Sequence, residues 1–248
     1  MAGHFKDHFS RQSKTYAEFR PNYPTALFEW IFSFIDTADR AWDCATGNGQ
    51  SALALSGTFS RIYATDASPD QIKQAAPAAN IMYRVARAED SGIPDASIDL
   101  ITVSQAIHWF DVDAFFLEAD RVLKPGGMLA VWCYGLFSLS SPADRIIQNL
   151  YHNTLAGSWP PERDHVDNGY ADIQFPWPLI PSPQFEIEKM WGAQQLIGFL
   201  NSWSAVQRFI KTHSFNPVEH IATALRDVVR DKIPVIWPVT LKLAQKPK

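Results

Sequence analysis

The chain has 248 residues, enough for one large α/β domain or for a smaller one carrying an insertion. Hydrophobic residues make up 46% and charged residues 19%, the balance of a folded soluble protein. The formal net charge is -4 with no long run of Lys or Arg, which argues against nucleic acid or an acidic membrane as the main partner, because both reward a concentrated positive field.

The N-terminal MAGHFKDHFSRQSK lacks the apolar core of a signal peptide, and no stretch approaches the roughly 20 apolar residues that span a bilayer. Cys44 and Cys133 both lie in apolar runs and read as buried thiols rather than a disulfide framework. A cytoplasmic location is the expectation.

In chain order, Leu27, Phe28, Ile31, Phe32 and Ile35 recur at helical spacing between Pro24 and Ile35. A short apolar run, Ala41 to Ala45, is closed by Gly47 and Gly49 and followed by a helix from Gln50 to Leu55. A strand from Arg61 to Thr65 ends on Asp66, and a helix from Pro69 to Ala76 leads to a third strand, Ile81 to Val85. The turn-like PDAS introduces a fourth strand, Ile98 to Val103. A helix from Ala114 to Leu123 stops at Pro125, Gly126 and Gly127, before a fifth strand from Met128 to Cys133. Alternating strands and helices predict a parallel sheet with right-handed crossovers.

After Cys133 the alternation breaks. Helical patterns cover Ala143–Leu155, Gly192–Thr212 and Pro217–Arg230, and two late strands, Phe185–Met190 and Val235–Leu243, complete the sheet. Between Trp159 and Pro183, Pro and Trp cluster in WPPERD and FPWPLIPSPQ, which reads as an ordered, irregular loop. The segment from Gly135 to Gln184 reads as an insertion over the strand ends, where ligands of open α/β sheets bind.

The segment WDCATGNGQSA carries the strongest local signal. Gly47 and Gly49 let the backbone turn tightly between strand and helix and approach a ligand closely, and Asp66 places a carboxylate where ribose hydroxyls could donate to it. Gly47, Gly49 and Ala52 with Asp66 also fit a dinucleotide fingerprint, so an NAD-dependent oxidoreductase stays open on this loop alone. Asp43 leans the other way: a buried carboxylate needs a partner, and an amino-acid ammonium suits it where a pyrophosphate would be repelled.

RVARAEDSGIPDASIDLITVSQAIHWF and RVLKPGGMLAVW follow the loop, with YAEFRPNYP before it and FLNSWSAVQRF and IPVIWPVTLKLA near the end. With these motifs the chain resembles the class I S-adenosylmethionine-dependent methyltransferases, in particular the small-molecule group often called type 11, which includes trans-aconitate methyltransferase-like proteins. The resemblance implies a Rossmann-like, doubly wound α/β fold. Its mostly parallel sheet has seven strands, the last antiparallel, with a helical and loop cap insertion. It implies one methyltransferase domain: 1–35 a lid and helix, 36–134 the cofactor core, 135–184 the substrate cap, and 185–248 the completing strands and helices.

Carried over, the resemblance implies that Asp43 with the backbone of Ala45 and Gly47 holds the methionine portion of S-adenosylmethionine, beside Gly49. Asp66 takes the ribose with Ala67 beside the adenine, Ala88 and Glu89 border the adenine edge, and Ser104 and Gln105 sit near the sulfonium. Ala45 stands where the family usually has Gly, and its methyl fits if the local dihedrals are negative.

The expected reaction is in-line methyl transfer to a small-molecule acceptor, such as a carboxylic acid, with a methyltransferase-like binder without turnover as a further alternative. A hydroxyl or amine acceptor would need a base, for which His108 is the candidate. Trp109 and Trp203 are candidate pocket walls. Tyr16, Arg20 and Tyr23 form a candidate lid, with Arg20 able to clamp a carboxylate. Arg145 and Arg163 are weaker candidates by position in the cap. The remaining histidines show no metal-ligand spacing, so no metal is expected. A monomer and a homodimer are both compatible with nine tryptophans.

Overall fold

The computed structural model describes residues 21–139 and 142–248. Tyr16 and Arg20 of the candidate lid lie outside the described residues. Five strands, β1 (Arg40–Cys44), β2 (Arg61–Asp66), β3 (Ile81–Val85), β4 (Ile98–Ser104) and β5 (Leu123–Tyr134), pair in parallel in the order β3-β2-β1-β4-β5. β1 and β4 are buried almost end to end, as parallel strands covered on both faces must be.

The last strand, β9 (Ile233–Gln245), runs antiparallel to β5 and carries β8 (Phe185–Trp191) on its other edge. These seven strands are the sheet that the resemblance implies. Two further pairings lengthen it, the two-residue strands β6 (Ser138–Leu139) and β7 (Leu179–Ile180), both against β9. Neither could show a period in the sequence.

The helices fall where local chemistry stops and starts them. α1 (Thr25–Phe32) begins after Pro24 and buries Leu27, Phe28 and Ile31. α2 (Gln50–Leu55) starts on Gly49, and α3 (Pro69–Lys73) is capped by the Ser68 hydroxyl. α4 (Val112–Val122) is capped by the Asp111 carboxylate at 3.2 Å from the Ala114 N–H and runs directly into β5. α5 (Pro142–Asn149) passes into a π-helical turn, 150–154, and α6 (Arg163–Asp167) lies in the segment read as cap.

The helical pattern over Gly192–Thr212 divides into α7 (Ala193–Asn201) and α8 (Ser204–His213). The Ser202 hydroxyl donates to the Phe199 carbonyl at 2.6 Å and the Gln207 amide to the Asn201 carbonyl at 2.9 Å. These bonds satisfy carbonyls that a continuous helix would have used, and Trp203 becomes extended. α9 (Pro217–Val228) is capped by Asn216 with Pro at its first position.

Successive β5 residues alternate between two cores. Met128, Ala130 and Trp132 pack with α1, α2 and α7 to α9, while Leu129, Val131 and Cys133 pack with α4 and with Val166, Tyr170 and Trp177. Cys44 and Cys133 are free and buried, and burial pushes the Cys133 thiol up to about 12. Both are core groups, not nucleophiles. Among the described residues no helix is long and apolar enough to cross a membrane.

Candidate functional site

The ends of β1, β2 and β4 converge on the loop between β1 and α2. Ala45, Gly47 and Gly49 all turn through positive φ, at 53°, 57° and 87°. At Gly49 the constraint is double, because an added Cβ would also collide with the Tyr83 hydroxyl. Ala45 departs from the condition set on it: its φ is positive, so its methyl is carried at a strain of roughly 1 kcal/mol. The loop is stitched to the next strand by the Thr46 N–H on the Thr65 carbonyl at 2.8 Å.

Asp43 sits beneath this loop, fully buried. Its carboxylate accepts from the Thr46 hydroxyl, from the Thr102 hydroxyl at 2.7 Å and from the Ala52 N–H at 3.0 Å. Burial raises its pKa to about 6 against these lowering bonds. The sequence called for a partner to this buried carboxylate, and the fold supplies three. Its partners come from the protein, and it braces the loop from behind.

Gln50, just past the loop, is the polar group left over. Its amide nitrogen donates to the Pro21 carbonyl and to Asn22 Oδ1, but its buried Oε1 has no hydrogen-bond partner among the described residues. No feature of the sequence distinguished it from an ordinary first-turn residue.

Asp66 closes the other side. One oxygen accepts the Gly47 N–H at 2.9 Å, the other the Ser68 N–H at 2.8 Å. The residue is only half-buried, and an ionised carboxylate accepts from several donors at once. Ala67 follows it, half-buried, while Ala88 is buried. Glu89 accepts the Asp111 N–H at 3.0 Å and pairs with Arg87 at 3.1 Å, which holds the segment after β3 against the start of α4.

At the end of β4, the Ser104 and Ser51 hydroxyls are 3.1 Å apart. Gln105 has a φ of 55°, and its side chain turns back to make a bidentate pair with the Tyr134 backbone. Its Nε2 donates to the Tyr134 carbonyl at 3.1 Å and its Oε1 accepts the Tyr134 N–H at 2.8 Å. The Gln105 side chain thus ties β4 to β5 instead of reaching forward from the strand end.

His108 bonds through Nδ1 to the Tyr170 hydroxyl at 2.9 Å. Burial, with the positive charge of Arg163 next, lowers its pKa to about 3. An imidazole so reluctant to take a proton is a poor general base at neutral pH, and its bond to Tyr170 joins the β4–α4 loop to the cap. Trp109 lies beside it at a ring separation of 4.8 Å. Tyr23 is buried on Trp132 at 5.4 Å and Tyr134 at 6.2 Å, part of the wall behind β5.

Trp203 faces a different space. Just past β5 a cavity of about 30 Å³ is lined by Tyr151, Trp159, Arg163, Phe199, Trp203 and Trp237, with Tyr134 at its edge. The Arg163 guanidinium lies 5.2 Å over Trp159 and 5.5 Å over Tyr151. The sequence signals for it were WPPERD, with Trp159 and Arg163, and the candidate wall Trp203. Tyr134, Tyr151 and Tyr170 gave none.

The segment 42–131 matches the model of a methyltransferase domain family. A Dictyostelium discoideum protein named as a methyltransferase is 32% identical over 252 residues, which cover 98% of this chain and 96% of that one. A solved structure from Anaeromyxobacter dehalogenans, described as a type II methyltransferase, superposes with a TM-score of 0.86 at 39% identity, over 92% of this chain and 99% of that one. The Haemonchus contortus phosphoethanolamine N-methyltransferase 2, solved with phosphomonomethylethanolamine and S-adenosylhomocysteine, shares the fold at a TM-score of 0.51 and 16% identity, over 100% of this chain and 61% of that one. These likenesses remove the dinucleotide alternative that the glycine loop left open. The chain belongs to the class I S-adenosylmethionine-dependent methyltransferases.

Proposed function

We propose that the protein binds S-adenosylmethionine over the Ala45–Gly49 loop and methylates the carboxylate of a small organic acid. The residues present suit the cofactor. The loop's positive φ angles keep its backbone open to a close approach. Asp66 offers lone pairs to ribose hydroxyls, with Ala67, Ala88 and Glu89 along the adenine side. The orphaned Gln50 Oε1 is an acceptor in search of a donor, and the methionine ammonium supplies one.

When bound, the cofactor supplies an electrophilic methyl on a sulfonium. The protein's task is to align an acceptor behind that methyl and to exclude water. The observation that carries the carboxylate assignment is His108, bonded to Tyr170 and held neutral. With His108 a poor proton acceptor, the reading favours an acceptor that arrives already nucleophilic, and a carboxylate is ionised at neutral pH. With S-adenosylmethionine held by the loop and Asp66, a carboxylate oxygen would form the new O–CH3 bond as the C–S bond breaks and its electron pair returns to sulfur. The products would be a neutral ester and a neutral thioether, with no proton to remove.

The test is calorimetry with S-adenosylhomocysteine, followed by turnover of methyl-labelled cofactor against a panel of organic acids, phenols and amines. Label recovered as methanol after mild alkali identifies an ester. Products stable to alkali would overturn the carboxylate assignment while leaving the cofactor site intact.

A further inference from the structure

The cavity beyond β5 combines features rarely found together in a core. Its walls are aromatic: Tyr151 and Trp159 lie 4.5 Å apart, Trp159 and Trp203 5.5 Å, and Phe199 and Trp237 5.6 Å. Into these walls the fold sets a guanidinium. Arg163 Nε donates to the Tyr151 hydroxyl at 2.7 Å and to Asp167 Oδ1 at 2.9 Å, and the Tyr151 hydroxyl donates in turn to Asp167. That network fixes the stem and the plane of the guanidinium. Its two terminal nitrogens make no hydrogen bond among the described residues, so the edge best shaped for a carboxylate is left open.

One lining residue of the cavity connects it to the end of β4. Tyr134, at its edge, is the residue whose backbone the Gln105 side chain grips from the end of β4. Neighbouring strands are about 4.8 Å apart, so the Tyr134 backbone is about one strand spacing from the β4 terminus.

We propose that Arg163 and the rings around it form the acceptor's seat, selective for a flat, unsaturated or aromatic carboxylate. This rests on the carboxylate assignment above and narrows it to a substrate class. The space admits a carboxylate-sized group, and the flat body of the acid lies against Trp159, Trp203 and Tyr151 at the mouth. Two of the carboxylate's roughly four lone-pair positions face the guanidinium, leaving others for attack. Methylation abolishes the negative charge, so the ester loses its hold on Arg163 and leaves.

The experiment uses the full-length protein saturated with S-adenosylhomocysteine, and follows tryptophan fluorescence during titration with sodium benzoate. Benzyl alcohol, with the same ring and no charge, is the comparison. Benzoate is expected to give a saturable change and to bind at least about tenfold more tightly than benzyl alcohol, the ratio expected for a charge-assisted bidentate contact. Arg163→Lys keeps the charge toward Asp167 but loses the fork. It should weaken benzoate about tenfold or more and leave benzyl alcohol unchanged. Equal affinity for the two probes, no saturation by benzoate up to about 50 mM, or unchanged benzoate affinity in Arg163→Lys would each overturn the proposal. The comparison of the two probes on the unaltered protein stands even if the variant fails to fold. Calorimetry with S-adenosylhomocysteine on the same samples separates outcomes: binding of that ligand without benzoate sinks the seat alone, and loss of both sinks the cofactor site as well.

Discussion

Replacing His108 by Gln separates a clasp from a base. In the folded protein the imidazole titrates at about 3, against an ordinary value of 6.5. Between those limits the unfolded chain binds a proton that the native state refuses, so stability falls as the pH drops below 6.5 and the unfolded imidazole charges. At pH 5, about 1.5 units below the ordinary value, the deficit is about 2 kcal/mol at about 1.4 kcal/mol per unit. The variant removes this acid penalty but loses the Tyr170 bond, a cost of about 1 kcal/mol that does not depend on pH. His108→Gln should therefore be the less stable protein at pH 7.5 and the more stable one at pH 5. Relative to wild type it should gain roughly 4–8 °C in melting temperature between the two. Asp43 also titrates differently when folded, with the opposite sign, but it is present in both proteins and cancels from the comparison. Thermal unfolding by circular dichroism at the two pH values measures the crossing, and the pH profile of kcat/KM supplies the functional half. A clasp predicts no limb near pH 6.5 in the wild type. An acidic limb with an apparent pKa of 6 to 7 that disappears in His108→Gln would refute the assignment and restore the base.

Four other outcomes follow from the site. Ala45→Gly should relieve the strain at φ 53° and, after the entropy cost of glycine, stabilise the protein by about 0.5 kcal/mol, read as a small rise in melting temperature. Asp66→Ala should weaken S-adenosylhomocysteine at least about tenfold in calorimetry, since a charged acceptor of ligand hydrogen bonds is removed. Gln105→Leu leaves the Tyr134 N–H and carbonyl without their partners and should cost about 2–3 kcal/mol in urea unfolding. Gln50→Leu should lower the affinity for S-adenosylhomocysteine while leaving that for adenosine unchanged, because the orphaned oxygen faces only the amino-acid portion in this proposal.

The glycine loop and its neighbouring strands were legible because their signals are local. Gly47 and Gly49 stand two residues apart on one turn, Asp66 ends the adjacent strand, and the burial of β1 and β4 is written as continuous apolar runs. Pro217 and Asn216 announce α9 in the same way. The break at Trp203 was invisible because the helical period persists on both sides of it, and the sign of φ at Ala45 is a property of the turn that its neighbours impose.

Asp43 and His108 show one shared limit of the sequence. For a buried ionisable group the sequence says that a partner is required, not which residue supplies it. Thr102 lies 59 residues from Asp43 and Tyr170 lies 62 residues from His108, and both arrive only when β4 and the cap are in place. The same logic governs the aromatic cavity, whose lining comes from the end of β5, the π-helical turn, α6, α7 and β9. A cofactor common to a whole family can be recognised by one turn of chain. In the seat proposed above, an acceptor particular to one enzyme is recognised by side chains that meet only in the folded state, with Arg163 carrying the charge among them. Its selectivity can therefore change by single substitutions in the cap while the glycine loop and Asp66 stay as they are.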